Sequence, residues 1–347
     1  MKPKHRGGYT AAHTDLCERA LLTLLRGLGP WRESIFLIGG LVPKLLIDRN
    51  RPVREAADAH AGTMDVDLVI DVQVLTRTDA YRTLEQNLKA MGFERGLNID
   101  GQPQHFSWRK RFAGMTVVVD LLCDGPVEGG GRVQALPGER RLSALAIPGA
   151  HLVFTNYVEV ELDGELLEAR GDASARIRVA GIVPFLVLKA LAFEDRSEQK
   201  DAYDIVYALM NYETGPEVVA GHFAAEMARL PEETLLQRAL EILRKRFASD
   251  ARVDGFRKDG PVAYATFLAD LGHPDEDAVR QRDAAAVVEL FLAAVADAVS
   301  ATTHKEAVGR WGPPPPGPRV TGSSRRGSCR STWASHVGGP GTPFAES

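Results

Sequence analysis

Residues 11–29 place Leu16, Ala20, Leu21, Leu24, Leu25 and Leu28 at helical spacing, which predicts an amphipathic helix closed by Gly29-Pro30. Residues 34–38 are a short apolar run ending in Gly39-Gly40, the pattern of a buried strand and a tight turn. Residues 41–48 predict a short helix with Pro43 in its first turn, where the missing N–H costs little. The polar segment 49–63 predicts an exposed loop, residues 64–71 a second strand, and residues 76–91 a helix capped by Thr76 or Thr78. Two strands are expected at 104–112 and 115–123, joined around Ala113-Gly114. The second contains Val117 to Leu122 and is too apolar to lie exposed.

Residues 125–150 are rich in Gly and Pro and predict a loop. Short strands are expected near 151–156, 158–163 and 176–180, with Asp163-Gly164 as a turn. From Ile182 the period becomes helical, with helices near 182–194, 198–211, 216–228, 231–247, 261–271 and 278–300. The fold class that follows is α+β. A mixed sheet with flanking helices occupies residues 1–180, a mainly helical domain residues 181–308, and a Pro/Gly/Ser/Arg-rich tail residues 309–347. That tail is expected to be disordered, because its composition buries too little apolar surface to offset the entropy of ordering.

The chain has 347 residues, 44% hydrophobic and 25% charged, the profile of a globular protein with a sizeable core. A formal net charge of -4 means that any nucleic-acid contact requires a local basic patch. Cys17, Cys123 and Cys329 are odd in number and far apart, which argues against a disulfide framework or a zinc site and for a reducing cytoplasm. The basic N-terminus is followed by no long apolar run, so no signal peptide is expected. No uninterrupted apolar stretch approaches the ~20 residues that span a bilayer, so no membrane association is expected.

Asp65 and Asp67 lie two apart on a predicted strand, so both carboxylates share one face while Val66 points away. Two such oxygens at a strand end suit Mg²⁺ or Mn²⁺, whose remaining positions water and substrate phosphates would fill. Gly39-Gly40 permits a close backbone approach, where a phosphate could sit. Asp120, at the end of another apolar strand, could complete a metal clamp or act as general base for an incoming hydroxyl. Asp124 sits further into the loop. Each feature alone is common: a turn, a surface acid pair, a strand-end cap.

Together, Gly39-Gly40, Asp65-x-Asp67 and Asp120 resemble the nucleotidyltransferase superfamily that includes DNA polymerase beta, over about residues 30–125. A second stretch narrows the resemblance. Lys189, Arg196 seven residues later, and Lys200-Asp201-x-x-Asp204 are similar to the AbiEii-type nucleotidyltransferases, the toxin halves of type IV toxin–antitoxin and abortive-infection systems. Lys189 and Arg196 could share a helix face and hold triphosphate oxygens. Alternatively, Asp201 and Asp204 could cap the next helix or pair with them. The resemblance implies an NTP substrate, a divalent metal on Asp65, Asp67 and Asp120, tRNA as acceptor and a cognate antitoxin as partner.

Leu41 stands where the superfamily often has Ser or Thr, and residues 49–63 lengthen the gap between the glycines and Asp65. Trp108-Arg109-Lys110-Arg111-Phe112 forms a basic run with flanking aromatics, and in a hairpin Arg109 and Arg111 would share a face near Asp120, able to hold a triphosphate or an RNA backbone. Two rivals stand beside RNA modification: transfer to a small molecule or a protein on the same fold, and a degenerate module that binds nucleotide or a partner without chemistry.

Overall fold

The computed structural model describes residues 3–50, 59–77, 83–98, 100–126, 131–137, 142–269 and 274–309. Its strands are β1 (Ile35–Ile38), β2 (Asp65–Ile70), β3 (Glu94–Leu97), β4 (Pro103–Phe112), β5 (Met115–Gly125), β6 (Val133–Ala135), β7 (Ser143–Pro148), β8 (Tyr157–Glu165) and β9 (Asp172–Ala180). They form one mixed sheet in the order β3-β4-β5-β2-β1-β9-β8. β7 pairs with the far end of β5, beyond the stretch that β4 pairs, and β6 pairs with β7. The β2–β5, β1–β9 and β5–β7 pairs are parallel, and the rest are antiparallel.

Period-two alternation assigns the sheet's two faces. Val66, Leu68, Ile70, Val117, Val119 and Leu121 point to one side and are at most 1% exposed. Helix α1 (Ala11–Gly27), capped by the Thr10 side chain accepting from the His13 N–H, packs on β5, β8 and β9. Its leucines bury as the spacing predicts, each stabilising by about 1.5–3 kcal/mol. Asp65, Asp67 and Asp120 take the other face.

The remaining helices are α2 (Val42–Leu46), α3 (Val72–Arg77), α4 (Leu84–Ala90), α5 (Ile182–Arg196), α6 (Gln199–Asn211), α7 (Pro216–Arg229), α8 (Thr234–Phe247), α9 (Asp259–Leu268) and α10 (Pro274–Gly309). α6 packs between α5 and α9, with the Tyr203 and Phe267 rings 4.7 Å apart, and α8 lies on α5. Met1–His304 is one compact unit. The expected boundary at 180/181 falls within this unit, where the chain passes from strands to helices. Lys305–Ser347 is a second unit, of which only the end of α10 is described. The tail expected to be disordered lies otherwise outside the described residues.

Several local expectations need correction. The segment 125–150 holds β6 and β7, which its alanines and prolines concealed. β7 is a strand because it pairs in parallel with Leu122–Gly125, not through its own propensity. Residues 150–154 form a 3-10 turn where a strand was expected, because Gly149 adopts φ +82° and the Asp124 carboxylate accepts the His151 N–H. Asp163-Gly164 is not a turn: both residues pair with β9, and the chain reverses after Leu166, with Gly171 at φ +87°. Thr76 lies inside α3 rather than ahead of a helix, and Thr78 lies outside the described residues. Asp71 accepts from the Gln73 and Val74 N–H groups ahead of α3, and Thr83 with Gln86 makes a capping box on α4. Residues 78–82 and 51–58 lie outside the described residues.

The 26-residue stretch Glu276–Ala301 of α10 is long and apolar enough by composition to cross a membrane, although it contains no long uninterrupted apolar run. Scattered charges broke the run without lowering its apolar content. Ala284, Val288, Phe291 and Val295 on it are buried in the core.

His151 clamps the 3-10 turn to the helical layer. It binds Asp124 through Nδ1 at 2.9 Å and Glu233 through Nε2 at 2.7 Å, and Glu233 also accepts the Leu235 N–H at the start of α8. The Asp124 hydrogen bond, against opposing burial, and the Glu233 hydrogen bond push the imidazole up to about 9. A raised folded pKa contributes stability present in full below the unfolded value near 6.5 and lost as pH rises through about 9. With the ring 40% exposed, the gain stays at about 1 kcal/mol or less. Wild type should therefore lose more melting temperature between pH 6.5 and 10 than His151→Gln; parallel profiles would remove this clamp from the account.

Candidate functional site

β2 and β5 run parallel with Asp67 opposite Asp120 and Asp65 opposite Val118. Cα partners in register share a face, so the three carboxylates converge. One oxygen from each lies within 4.8 Å of the others. Asp65 is buried and Asp67 and Asp120 are half-buried. Thr63 donates its hydroxyl to Asp65 Oδ1 at 2.7 Å and so orients the first carboxylate. Three anions this close repel one another unless a cation lies among them, and an all-oxygen set of carboxylates matches a hard divalent ion. The donor set fits Mg²⁺ or Mn²⁺.

Gly39 follows β1, whose Ile38 pairs with Asp67. It adopts φ +77°, and a Cβ there would run into Asp67 Oδ2. A Cβ at Gly40 would lie 2.8 Å from Thr63 Oγ1. The Gly-Gly pair thus lets the turn lie directly against the acidic cluster. α2 behind it has only five residues, so the turn's own backbone, rather than a long helix dipole, is what this side offers an anion. Leu41 is buried, but a hydroxyl does stand beside Gly40, on Thr63. Gly39→Ala should cost about 1–3 kcal/mol from the left-handed backbone alone and push Asp67 out of the cluster. Mn²⁺ titration should show weakened binding in this variant, and unchanged affinity would disprove the close-approach role.

The cluster opens on a cleft of about 760 Å³ that Gly39, Gly40 and Thr63 also line. Lys189, Arg196, Lys200, Asp201 and Asp204 line it as well, which brings the second motif to the first. Lys189 and Arg196 are already engaged, however. Lys189 Nζ lies 3.0 Å from Asp201 Oδ1 and 2.7 Å from Asp204 Oδ2. Arg196 makes a forked contact with Asp201 at 2.7 and 2.9 Å. Lys200 pairs with Asp204. Of the two roles open to Asp201 and Asp204, pairing with the cations is the one realised.

Burial opposes the charge on Lys189, but Asp204 and Asp201 outweigh it and hold its pKa above the ordinary lysine value. Lys200 goes the other way. Burial lowers it, and Asp204, with a smaller pull from Asp201, does not compensate while Lys189 repels it. Burial would raise both aspartates, yet Lys189 with Lys200 holds Asp204 well below the carboxylate range, and Lys189 with Arg196 lowers Asp201.

His60 was missed in the sequence, where it stands alone in a polar loop. It is fully buried, and its Nδ1 accepts the Gly62 N–H at 3.1 Å. The proton of the neutral ring must then sit on Nε2, which donates to Asp204 Oδ1 at 2.8 Å. Burial, with the nearby Lys200 charge, lowers the imidazole to about 4 against the pull of Asp204. The His60 N–H also binds Asp48, and the Ala61 N–H binds the Tyr203 hydroxyl. These bonds fasten the segment entering β2, and with it Asp65, to α6.

Strand alternation splits the basic run. Arg109 pairs with Val118 and Arg111 with Thr116, on the face of Asp120. Trp108 and Lys110 point into the core, where Lys110 meets Glu168 at 2.7 Å and the Met91 carbonyl at 2.5 Å. Arg109 is half-buried on the carboxylate face but does not line the cleft.

Comparison with protein-family models, with curated proteins and with solved structures finds no match.

Proposed function

We propose that this chain has the nucleotidyltransferase fold and is a metal-dependent nucleotidyltransferase, moving NMP from an NTP to an acceptor hydroxyl. The observation that carries the reading is the convergence of Asp65, Asp67 and Asp120 beside Gly39-Gly40, on a cleft that also holds Lys189 and Lys200. Asp65 and Asp67 would hold Mg²⁺ or Mn²⁺, with Asp120 as third ligand or as base. A bound divalent ion would neutralise charge on the phosphate oxygens. The Gly39-Gly40 backbone lies against the triphosphate. Lys200 and the remaining N–H of Lys189 supply positive charge, fixed in place by Asp201 and Asp204. Asp120 accepts the proton of the acceptor hydroxyl as its oxygen bonds to the α-phosphorus, and the bond to pyrophosphate breaks.

The resemblance of the Lys189–Asp204 stretch to AbiEii-type proteins supports tRNA as acceptor, action in the cytoplasm, and a toxin role with a cognate antitoxin. Each labelled NTP should be incubated with Mg²⁺ or Mn²⁺ and a total tRNA pool. Incorporation that chelation abolishes is the expected result. None with any of the four nucleotides, on tRNA, other RNA or small-molecule acceptors, would sink the reading.

A further inference from the structure

The cleft has two unlike halves. Around Gly39-Gly40 its walls carry charge. Past Asp120 a set of aliphatic side chains lines it, with Glu194 and Arg238 nearby on α5 and α8. Leu122 follows Asp120 by two on β5. Leu145 and Ile147 pair with Leu122 and Asp124, so they share the face of Asp120. Their neighbours Ala144 and Ala146 are fully buried on the opposite face, while Leu145 and Ile147 stay partly exposed to the cleft. Leu188, Leu191 and Ile242 complete this wall.

Strand order orients the reaction. β1, β2 and β5 lie side by side, with the glycine turn at β1 and Asp120 on β5. A triphosphate held at Gly39-Gly40 covers β1 and β2, so an acceptor reaches Asp120 from the outer side of β5. That side is shared end to end by β7 and β4. β7 brings the aliphatic wall. β4 brings Ser107 level with Asp120, then Arg109 and Arg111 on the same face leading away from it.

We propose that the aliphatic wall is the acceptor subsite, and that its occupant is the terminal nucleobase of a single RNA strand whose backbone leaves over Arg109 and Arg111. The inference rests on the nucleotidyl-transfer reading for the side from which the acceptor enters. A flat base loses water favourably against leucine and isoleucine, and phosphates suit the two arginines. A cleft of about 760 Å³ has the size to hold a ligand of one or two nucleotides.

The test is binding, without NTP or metal, of a hexaribonucleotide bearing 2-aminopurine at its 3′ end. Saturable change of its fluorescence is expected, with no change when the probe base is internal. An abasic 3′ end should bind about tenfold more weakly or worse, as should Leu145→Asn with Ile147→Asn. Arg109→Ala with Arg111→Ala should weaken binding and flatten its salt dependence while keeping the fluorescence change. Equal affinity for the abasic strand, which requires no variant to fold, overturns the subsite, and so does absence of binding. If the base contributes but no NTP is ever incorporated, the transfer reading fails and the subsite stands. If incorporation proceeds and the base contributes nothing, the subsite alone fails.

Discussion

Asp67→Ala is expected, on the proposed reading, to lower metal-dependent nucleotidyl transfer by about 10³-fold or more, because there it would remove both a ligand and the fixed charge that positions the ion against the phosphates. The fold should survive. Asp67 is half-buried on the cleft face, and deleting one of three clustered anions relieves repulsion within the apo protein. A readout independent of turnover follows from mass action: Mn²⁺ at about 100 times its Kd should stabilise the wild type by about 2.7 kcal/mol and the variant by far less. Asp65→Ala should behave alike, with an added disturbance at Thr63, which loses its side-chain acceptor and keeps the Asp65 carbonyl. Near-full activity in either variant would show that the triad is not the metal site, whatever its geometry.

Asp204→Asn carries the second large effect, on stability. The carboxylate is fully buried and serves Lys189 at 2.7 Å, His60 at 2.8 Å and Lys200. An amide leaves two buried ammonium groups with Asp201 as the sole remaining carboxylate of the network. Breaking a buried ionic set by removing one partner costs about 3–5 kcal/mol, whereas replacing the entire set with apolar groups need not. The folded pKa of Asp204 lies well below the ordinary 3.8, so its contribution is present above the unfolded value and is lost as pH falls through the folded one. Urea unfolding at pH 7 should show the full gap between wild type and variant, and the gap should narrow as pH drops below about 4. A gap under about 1 kcal/mol at pH 7 would mean that the network is wet or loosely held. Because His60 hangs on Asp204, the variant should also loosen the segment that leads into Asp65.

The likeness of the two lysines' positions makes their opposite titration informative. Lys189 pairs directly with two carboxylates and is raised, while Lys200 pairs directly with one and is depressed. On the nucleotidyl-transfer reading, an incoming triphosphate would add negative charge beside Lys200. Nucleotide binding should then raise the lysine's pKa and take up a proton where it titrates.

What the sequence determined by itself was everything set by local repetition. Leucines every three or four residues made α1, and the helical period after Ile182 located α5 to α9 within a few residues. The period of two placed Asp65 and Asp67 on one face and set Arg109 and Arg111 apart from Lys110. Tertiary structure decided the matters that involve residues far apart in the chain. β7 is a strand only because β5 offers it a parallel edge. Lys189 and Arg196, open for phosphate in the sequence, are engaged by aspartates one helix later. His60 has no local signal because its partner is 144 residues away. The acidic cluster belongs to both levels. Alternation aimed each carboxylate, and the β2–β5 register brought Asp120 opposite Asp67.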